Sequence, residues 1–97
     1  MDEINHIAIS VKDLSLTLSW YQSNFESKVL YQDDTWAMLQ FANIKLAFVV
    51  ADQHPSHICF SNPDADKYGK LTTHRDGVIS TYITDPSGNV IEIIKSI

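Results

Sequence analysis

A segment near the start of the chain returns about fifty residues later. The octapeptide His6–Asp13 (His-Ile-Ala-Ile-Ser-Val-Lys-Asp) matches His57–Asp64 (His-Ile-Cys-Phe-Ser-Asn-Pro-Asp) at four of its eight positions. Because internal repeats determine the whole architecture, a repeat of this length in 97 residues predicts a fold built from two copies of one unit. We place the first copy at about residues 3–51 and the second at about residues 54–97, within a single domain.

Both copies begin with the alternation that is typical of a β-strand. In the first copy Ile7 and Ile9 share one face, and His6 lies on the opposite face among small residues. His57 occupies the equivalent position in the second copy. Each strand therefore presents a histidine on a face with room for a ligand. The small residues that we expect to line a pocket on these faces are Ala8, Ser10, Cys59 and Ser61.

The first copy has the pattern of a β-α-β-β-β unit. Asp13 is suited to cap a helix whose apolar stripe is Leu14, Leu18, Tyr21 and Phe25. The predicted elements are a strand over Glu3–Val11, a helix over Asp13–Phe25, a strand over Lys28–Asp33 and a hairpin of Thr35–Phe41 and Ile44–Val50.

The second copy has the same ends and an abbreviated middle. It follows a short linker at Asp52–Pro55, and the turn residues Asp85–Gly88 separate its last two strands. The predicted elements are a short helix within Asp64–Lys70, an irregular stretch with at most a short strand over Leu71–Gly77, and strands over Val78–Thr84 and Asn89–Ile97.

The composition excludes several classes of partner. A net charge of −5 with 7 basic residues argues against nucleic acid. No run of 18 apolar residues predicts a membrane span, and the first residues lead into a strand without a signal segment. The single cysteine permits no internal disulfide, so we expect a cytoplasmic protein.

Three residues form a candidate metal-binding set. Glu92 interrupts an apolar strand between Ile91 and Ile93, and it joins His6 and His57 as a carboxylate beside two imidazoles. Such a set binds a divalent first-row ion and leaves coordination positions for water and substrate; Fe²⁺, Mn²⁺, Zn²⁺, Co²⁺ and Ni²⁺ all accept it. Each residue also has a plainer interpretation, as a buried hydrogen-bonded histidine or as a solvated charge on an edge strand.

The repeat, the opening Asn5–Leu14 and the closing Tyr82–Glu92 resemble the vicinal oxygen chelate superfamily. This superfamily contains glyoxalase I, extradiol dioxygenases, fosfomycin-resistance thiol transferases and bleomycin-resistance proteins. The resemblance implies an α+β fold in which two βαβββ-type repeats form cupped, partly open mixed sheets with helices on the outside. It also implies that His6, His57 and Glu92 bind the metal, and that Tyr82 contacts substrate.

The resemblance implies a metal-dependent enzyme whose small substrate chelates a divalent cation through adjacent oxygens, with Glu92 and Tyr82 catalytic. Where glyoxalase I has a further ligand, this chain has Leu46 or Ala47, which favours dioxygenase or addition chemistry. One alternative is a metal-free protein that sequesters a small molecule, as bleomycin-resistance proteins do; acidity and aromatic content favour it. Another is an interaction module that has lost the site.

Further expectations concern the remaining candidates and the assembly. Trp36 lines a groove or belongs to the core, and Cys59 fills space more readily than it binds metal. His54 and His74 are expected at the surface. The superfamily builds each cup from two units, within one chain or across two. We therefore expect a homodimer, in which His6 of one chain can join His57 and Glu92 of the other.

Overall fold

The computed structural model describes residues 1–52 and 54–96. These residues form two compact units. The N-terminal unit is His6–Ser56, and the C-terminal unit joins Met1–Asn5 to the chain from His57 onward. The predicted strand to Ile97 and the predicted linker at Asp52–Pro55 each include one residue outside the described part of the chain.

All five elements predicted for the first copy are present, and all but the first residues of β1 lie in the N-terminal unit. They are β1 (Glu3–Val11), α1 (Leu14–Asn24), β2 (Lys28–Gln32), β3 (Trp36–Gln40) and β4 (Lys45–Val50). The strands lie in the order β2-β3-β4-β1. β1 runs parallel to β4, and the other two pairs are antiparallel.

The C-terminal unit repeats this arrangement with a shorter middle. Its elements are β5 (His57–Asn62), a single 3₁₀ turn (Ala65–Tyr68), β6 (Thr72–Thr73), β7 (Ile79–Thr84) and β8 (Val90–Lys95). The order β5-β8-β7-β6 matches the order in the first copy, again with one parallel pair, β5 and β8. The predicted α+β fold and its abbreviated second repeat are confirmed.

α1 begins and ends where side-chain and backbone hydrogen bonds close its termini. Asp13 Oδ1 accepts a hydrogen bond of 2.9 Å from the Leu16 amide, and the Phe25 amide donates to the Tyr21 carbonyl at 2.9 Å. Leu18 is buried, whereas Phe25 at the end of the predicted stripe is half exposed. The buried core under this helix consists of Val11, Leu14, Leu18, Ala37, Leu39 and Phe48.

The turn between β7 and β8 fixes the register of the last two strands. Asp85 Oδ1 accepts hydrogen bonds of 2.9 Å from the amides of Ser87 and Asn89, and Asp85 Oδ2 accepts one from the Asn89 side chain. Gly88 has φ +85°, a conformation that disfavours side chains. The turn places Tyr82 directly opposite Glu92. In the described residues no helix has the length and apolar content needed to cross a bilayer.

Candidate metal centre

Three strands of the C-terminal unit bring polar side chains to one sheet face. Glu92 lies on the central strand, β8, with Cys59 of β5 opposite it on one side and Tyr82 of β7 on the other. His57 precedes Cys59 by two residues, so the two share a face, as the sequence predicted. This register brings together His57, Glu92 and Tyr82.

Glu92 is a buried carboxylate whose two oxygens have different partners. Its Oε1 lies 3.3 Å from His57 Nε2, and its Oε2 accepts a 2.8 Å hydrogen bond from Ser80 Oγ. Burial raises its pKa, but the interactions with His57, Ser80 and Tyr82 outweigh burial and lower the pKa to about 2. Glu92 is therefore an anion at neutral pH.

Tyr82 lies at the exposed side of this cluster. Burial of its hydroxyl and the negative charge of Glu92 raise the pKa of Tyr82 well above its ordinary value. The hydroxyl keeps its proton and can act as a hydrogen-bond donor. The Tyr82 ring stands edge-on to the imidazoles of His57 and His74, with centroid distances of 5.8 and 6.1 Å.

His74 and Ser80 belong to the cluster, although the sequence did not single out Ser80 and placed His74 at the surface. His74 Nε2 lies 2.6 Å from Ser80 Oγ and 3.8 Å from Glu92 Oε2. The His74 side chain is 33% exposed, so it lies at the surface as expected while its Nε2 contacts this cluster. A tight turn accounts for its direction, because its amide donates to the Val78 carbonyl at 2.7 Å. His54 is exposed, as predicted.

One of these two residues had a signal in the sequence. The Asp85–Gly88 turn sets Tyr82 against Glu92, and alternation then places Ser80 on the same face. His74 lies beyond the two-residue β6 in an irregular segment, where no periodicity indicates a side-chain direction.

The other predicted site residues are distributed over the two units. In the N-terminal unit, His6 is buried on β1, Ser10 is partly buried, and Trp36 stacks on Tyr31 with ring centroids 4.2 Å apart. In the C-terminal unit, Ser61 is partly buried and Cys59 is fully buried. The assignment of His6 as a ligand, and of these residues to a pocket, stays a prediction.

The His57–Glu92 pair has the donor spacing that a first-row metal ion requires. Metal–nitrogen and metal–oxygen bonds of about 2.0–2.2 Å put two neighbouring ligand atoms of one ion about 3.0–3.5 Å apart. His57 Nε2 and Glu92 Oε1 are 3.3 Å apart, and both side chains are buried. One neutral nitrogen and one anionic oxygen are also donors that such ions accept. The residues present fit a divalent metal.

Comparison with known proteins finds similar solved structures but no match by sequence. No protein-family model and no curated protein sequence matches the chain. Among solved structures, a glyoxalase/bleomycin resistance protein/dioxygenase superfamily member from Vibrio splendidus is similar, with TM-score 0.70, 8% identity and coverage of 97% of this chain and 98% of that one. The chain has the fold of this superfamily.

Two further members with this fold are methylmalonyl-CoA epimerases. One, in complex with methylmalonyl-CoA and NH4⁺, gives TM-score 0.71 and 19% identity, covering 97% of this chain and 94% of that one. The enzyme from Mycobacterium tuberculosis gives a TM-score of 0.67 and 16% identity, and the match covers 95% of this chain and 86% of that one. The resemblance drawn from the sequence is thus confirmed for the fold. At these identities the comparison leaves the activity open.

Proposed function

We propose that this chain is a metal-dependent enzyme of the vicinal oxygen chelate type, acting on a small molecule that chelates a divalent cation through adjacent oxygens. The observation that supports it is the buried His57–Glu92 pair, an ionised carboxylate 3.3 Å from an imidazole nitrogen. His6 is proposed as the third ligand, because it is buried and is the repeat equivalent of His57. Fe²⁺, Mn²⁺, Zn²⁺ and Ni²⁺ are all compatible with this set.

The chain's own groups have distinct roles in the proposed reaction. A divalent ion, when bound, supplies Lewis-acid stabilisation of negative charge on a substrate oxygen. Glu92 provides the fixed negative charge that retains a cation. Tyr82, whose hydroxyl stays protonated beside Glu92, is proposed to donate a hydrogen bond to a substrate oxygen. Dioxygenase, addition and isomerase reactions all use this arrangement, and we rank the first two higher because no carboxylate stands at Leu46 or Ala47.

The remaining proposed pocket residues supply small polar and aromatic surface. Ser10, Cys59 and Ser61 give short side chains, which leave space for substrate on the strand faces that carry the histidines. Trp36 and Tyr82 give planar walls. We also propose a homodimer, since β2 is an edge strand with Val29, Leu30 and Tyr31 exposed. The cytoplasmic location is proposed from the single cysteine.

The stacked pair of Tyr31 and Trp36 supports a second candidate function, a metal-free protein that binds a small molecule. The two rings are nearly parallel, at 22°, and Tyr31 is exposed. Asp33 lies beside them, and hydrogen bonds from Tyr31, Thr35 and Trp36 hold its pKa well below the ordinary value. An aromatic face next to a fixed anion suits a planar cationic ligand.

A ligand screen with and without metal distinguishes the two functions. Hydroxyacids, catechols, epoxide phosphonates and an acyl-CoA thioester are tested by thermal shift with EDTA or with Fe²⁺, Mn²⁺, Zn²⁺ or Ni²⁺, aerobically and anaerobically. The enzyme proposal expects stabilisation and turnover that require metal and are lost in Glu92→Ala. Ligand binding that is equally tight with EDTA and with added metal, and that is lost in Trp36→Ala, would support the metal-free binder.

A further inference from the structure

A directed chain of hydrogen bonds leads from His74 through Ser80 to Glu92. A carboxylate oxygen accepts hydrogen bonds, and Glu92 Oε2 has the Ser80 hydroxyl as its donor. The single hydroxyl proton of Ser80 therefore points to Glu92 Oε2, at 2.8 Å. Ser80 Oγ then has only lone pairs to offer His74 Nε2, which lies 2.6 Å away. It follows that His74 Nε2 carries a hydrogen atom and donates a hydrogen bond to Ser80 Oγ.

We propose that His74 and Ser80 are positioning residues that select which oxygen of Glu92 binds the metal. With Oε2 held by Ser80, Oε1 is the oxygen that lies beside His57. A carboxylate with both oxygens unrestrained can bind an ion through both and occupy two coordination positions. A carboxylate held at one oxygen occupies a single position, which leaves another for a bidentate substrate. The inference rests on the proposed function.

The packing of the two residues fits a positioning role. Ser80 is fully buried on β7, so its hydroxyl is shielded from bulk water. His74 is partly exposed, and its Nε2 lies 3.8 Å from Glu92 Oε2. Because groups that hydrogen-bond to metal ligands orient them and tune their basicity, loss of such a group typically costs 10–100-fold in metal affinity.

The first experiment determines the protonation of His74 in metal-free protein. Long-range ¹H–¹⁵N NMR correlations of the imidazole distinguish a protonated ring nitrogen from a bare one. The proposal expects a protonated Nε2 in wild type, and a changed His74 signal in Ser80→Ala with little change at His54. An unprotonated Nε2 in wild type would overturn the proposal. The Ser80 hydroxyl would then donate its hydrogen bond to His74, and Glu92 Oε2 would lose that donor.

The second experiment measures Zn²⁺ affinity by competition with a chromophoric chelator. His74→Gln retains an N–H donor, and we expect near wild-type affinity, whereas His74→Leu and Ser80→Ala should each lose about 10–100-fold. His54→Gln is the matched control at an exposed histidine. Equal affinity in wild type and His74→Leu would overturn the positioning role. If the wild type binds no metal, the proposed function fails, and the NMR experiment still decides the direction of the hydrogen bonds.

Discussion

At the scale of single residues, the central feature is a buried anion surrounded by donors. Burial alone would raise the pKa of Glu92 and favour its neutral form. His57, Ser80 and Tyr82 reverse that effect, because each interacts favourably with the ionised form. The negative charge is present before any cation arrives. Strongly shifted pKa values of this kind cluster at functional sites, which is consistent with the proposed role of Glu92.

His57→Ala should raise the pKa of Glu92 from about 2 toward or above its ordinary value of 4.5, because burial then acts against fewer partners. A ¹³C NMR titration of the Glu92 carboxyl in metal-free protein measures it. In wild type the pKa is lower in the folded than in the unfolded state. The stability due to Glu92 is therefore present above about pH 4.5 and is lost as the pH falls toward 2. An unchanged titration in His57→Ala would contradict the account, and His54→Ala is the control.

At the scale of elements, the turn between β7 and β8 determines the site because it sets the register. Hydrogen bonds from the side chain and amide of Asn89, with a smaller contribution from the Ser87 amide, lower the pKa of Asp85 below its ordinary value. A shift of this hairpin by one residue would move Tyr82 and Ser80 to the opposite face of the sheet. The turn thus positions a cluster that it does not touch.

Asp85→Asn should lower the melting temperature at pH 7, since the amide that replaces Oδ2 cannot accept from the Asn89 side chain. The pKa of Asp85 is lower in the folded state, so this contribution is present above the ordinary value of 3.8 and is lost as the pH falls below it. Thermal unfolding of both proteins between pH 7 and pH 2.5 should show a difference that shrinks in acid. A difference that grows in acid would disagree with this assignment.

The core between α1 and the strands of the N-terminal unit should lose stability when a large buried side chain is replaced by alanine. Phe48 is fully buried and lies 4.8 Å, centroid to centroid, from the Tyr21 ring of α1. Phe48→Ala should lower the free energy of unfolding by about 3–5 kcal/mol, by lost transfer energy and a cavity. Leu16→Ala, at a position 70% exposed on the same helix, should change it by less than about 0.5 kcal/mol. Urea denaturation measures both, and similar losses would refute the assigned core.

At the scale of the whole molecule, the repeat made most of the fold predictable. Equivalent strands in two copies predicted the element order, and alternation placed His57 with Cys59 on one face of its strand; the pairing of Cys59 with Glu92 came from the structure. The helix was predictable because Asp13 and the stripe of Leu14 and Leu18 are local signals. The contact of His74 with Ser80 and Glu92 was not predicted. Its position depends on a two-residue strand and a tight turn, which no local sequence pattern indicates.

The proposed homodimer is a prediction at this same scale. Size-exclusion chromatography with light scattering at micromolar concentration should give twice the chain mass of 11.0 kDa. Leu30→Lys, on the exposed edge strand β2, should shift the protein toward monomer, because a charge on such an edge opposes pairing with another chain. Ser19→Lys, an exposed position on α1, is the control. A stable wild-type monomer would reject the dimer.

The most direct test of the account is the metal content of protein purified without an affinity tag or chelator. Mass spectrometry is applied to wild type and to Ala replacements at His6, His57 and Glu92, with His54→Ala as control. We expect about one divalent ion per chain in wild type and in the control, and a severe loss in each of the other three, since facial ligands act together. Full occupancy in Glu92→Ala, or none in wild type after reconstitution with Fe²⁺, Mn²⁺, Zn²⁺ and Ni²⁺, would contradict it.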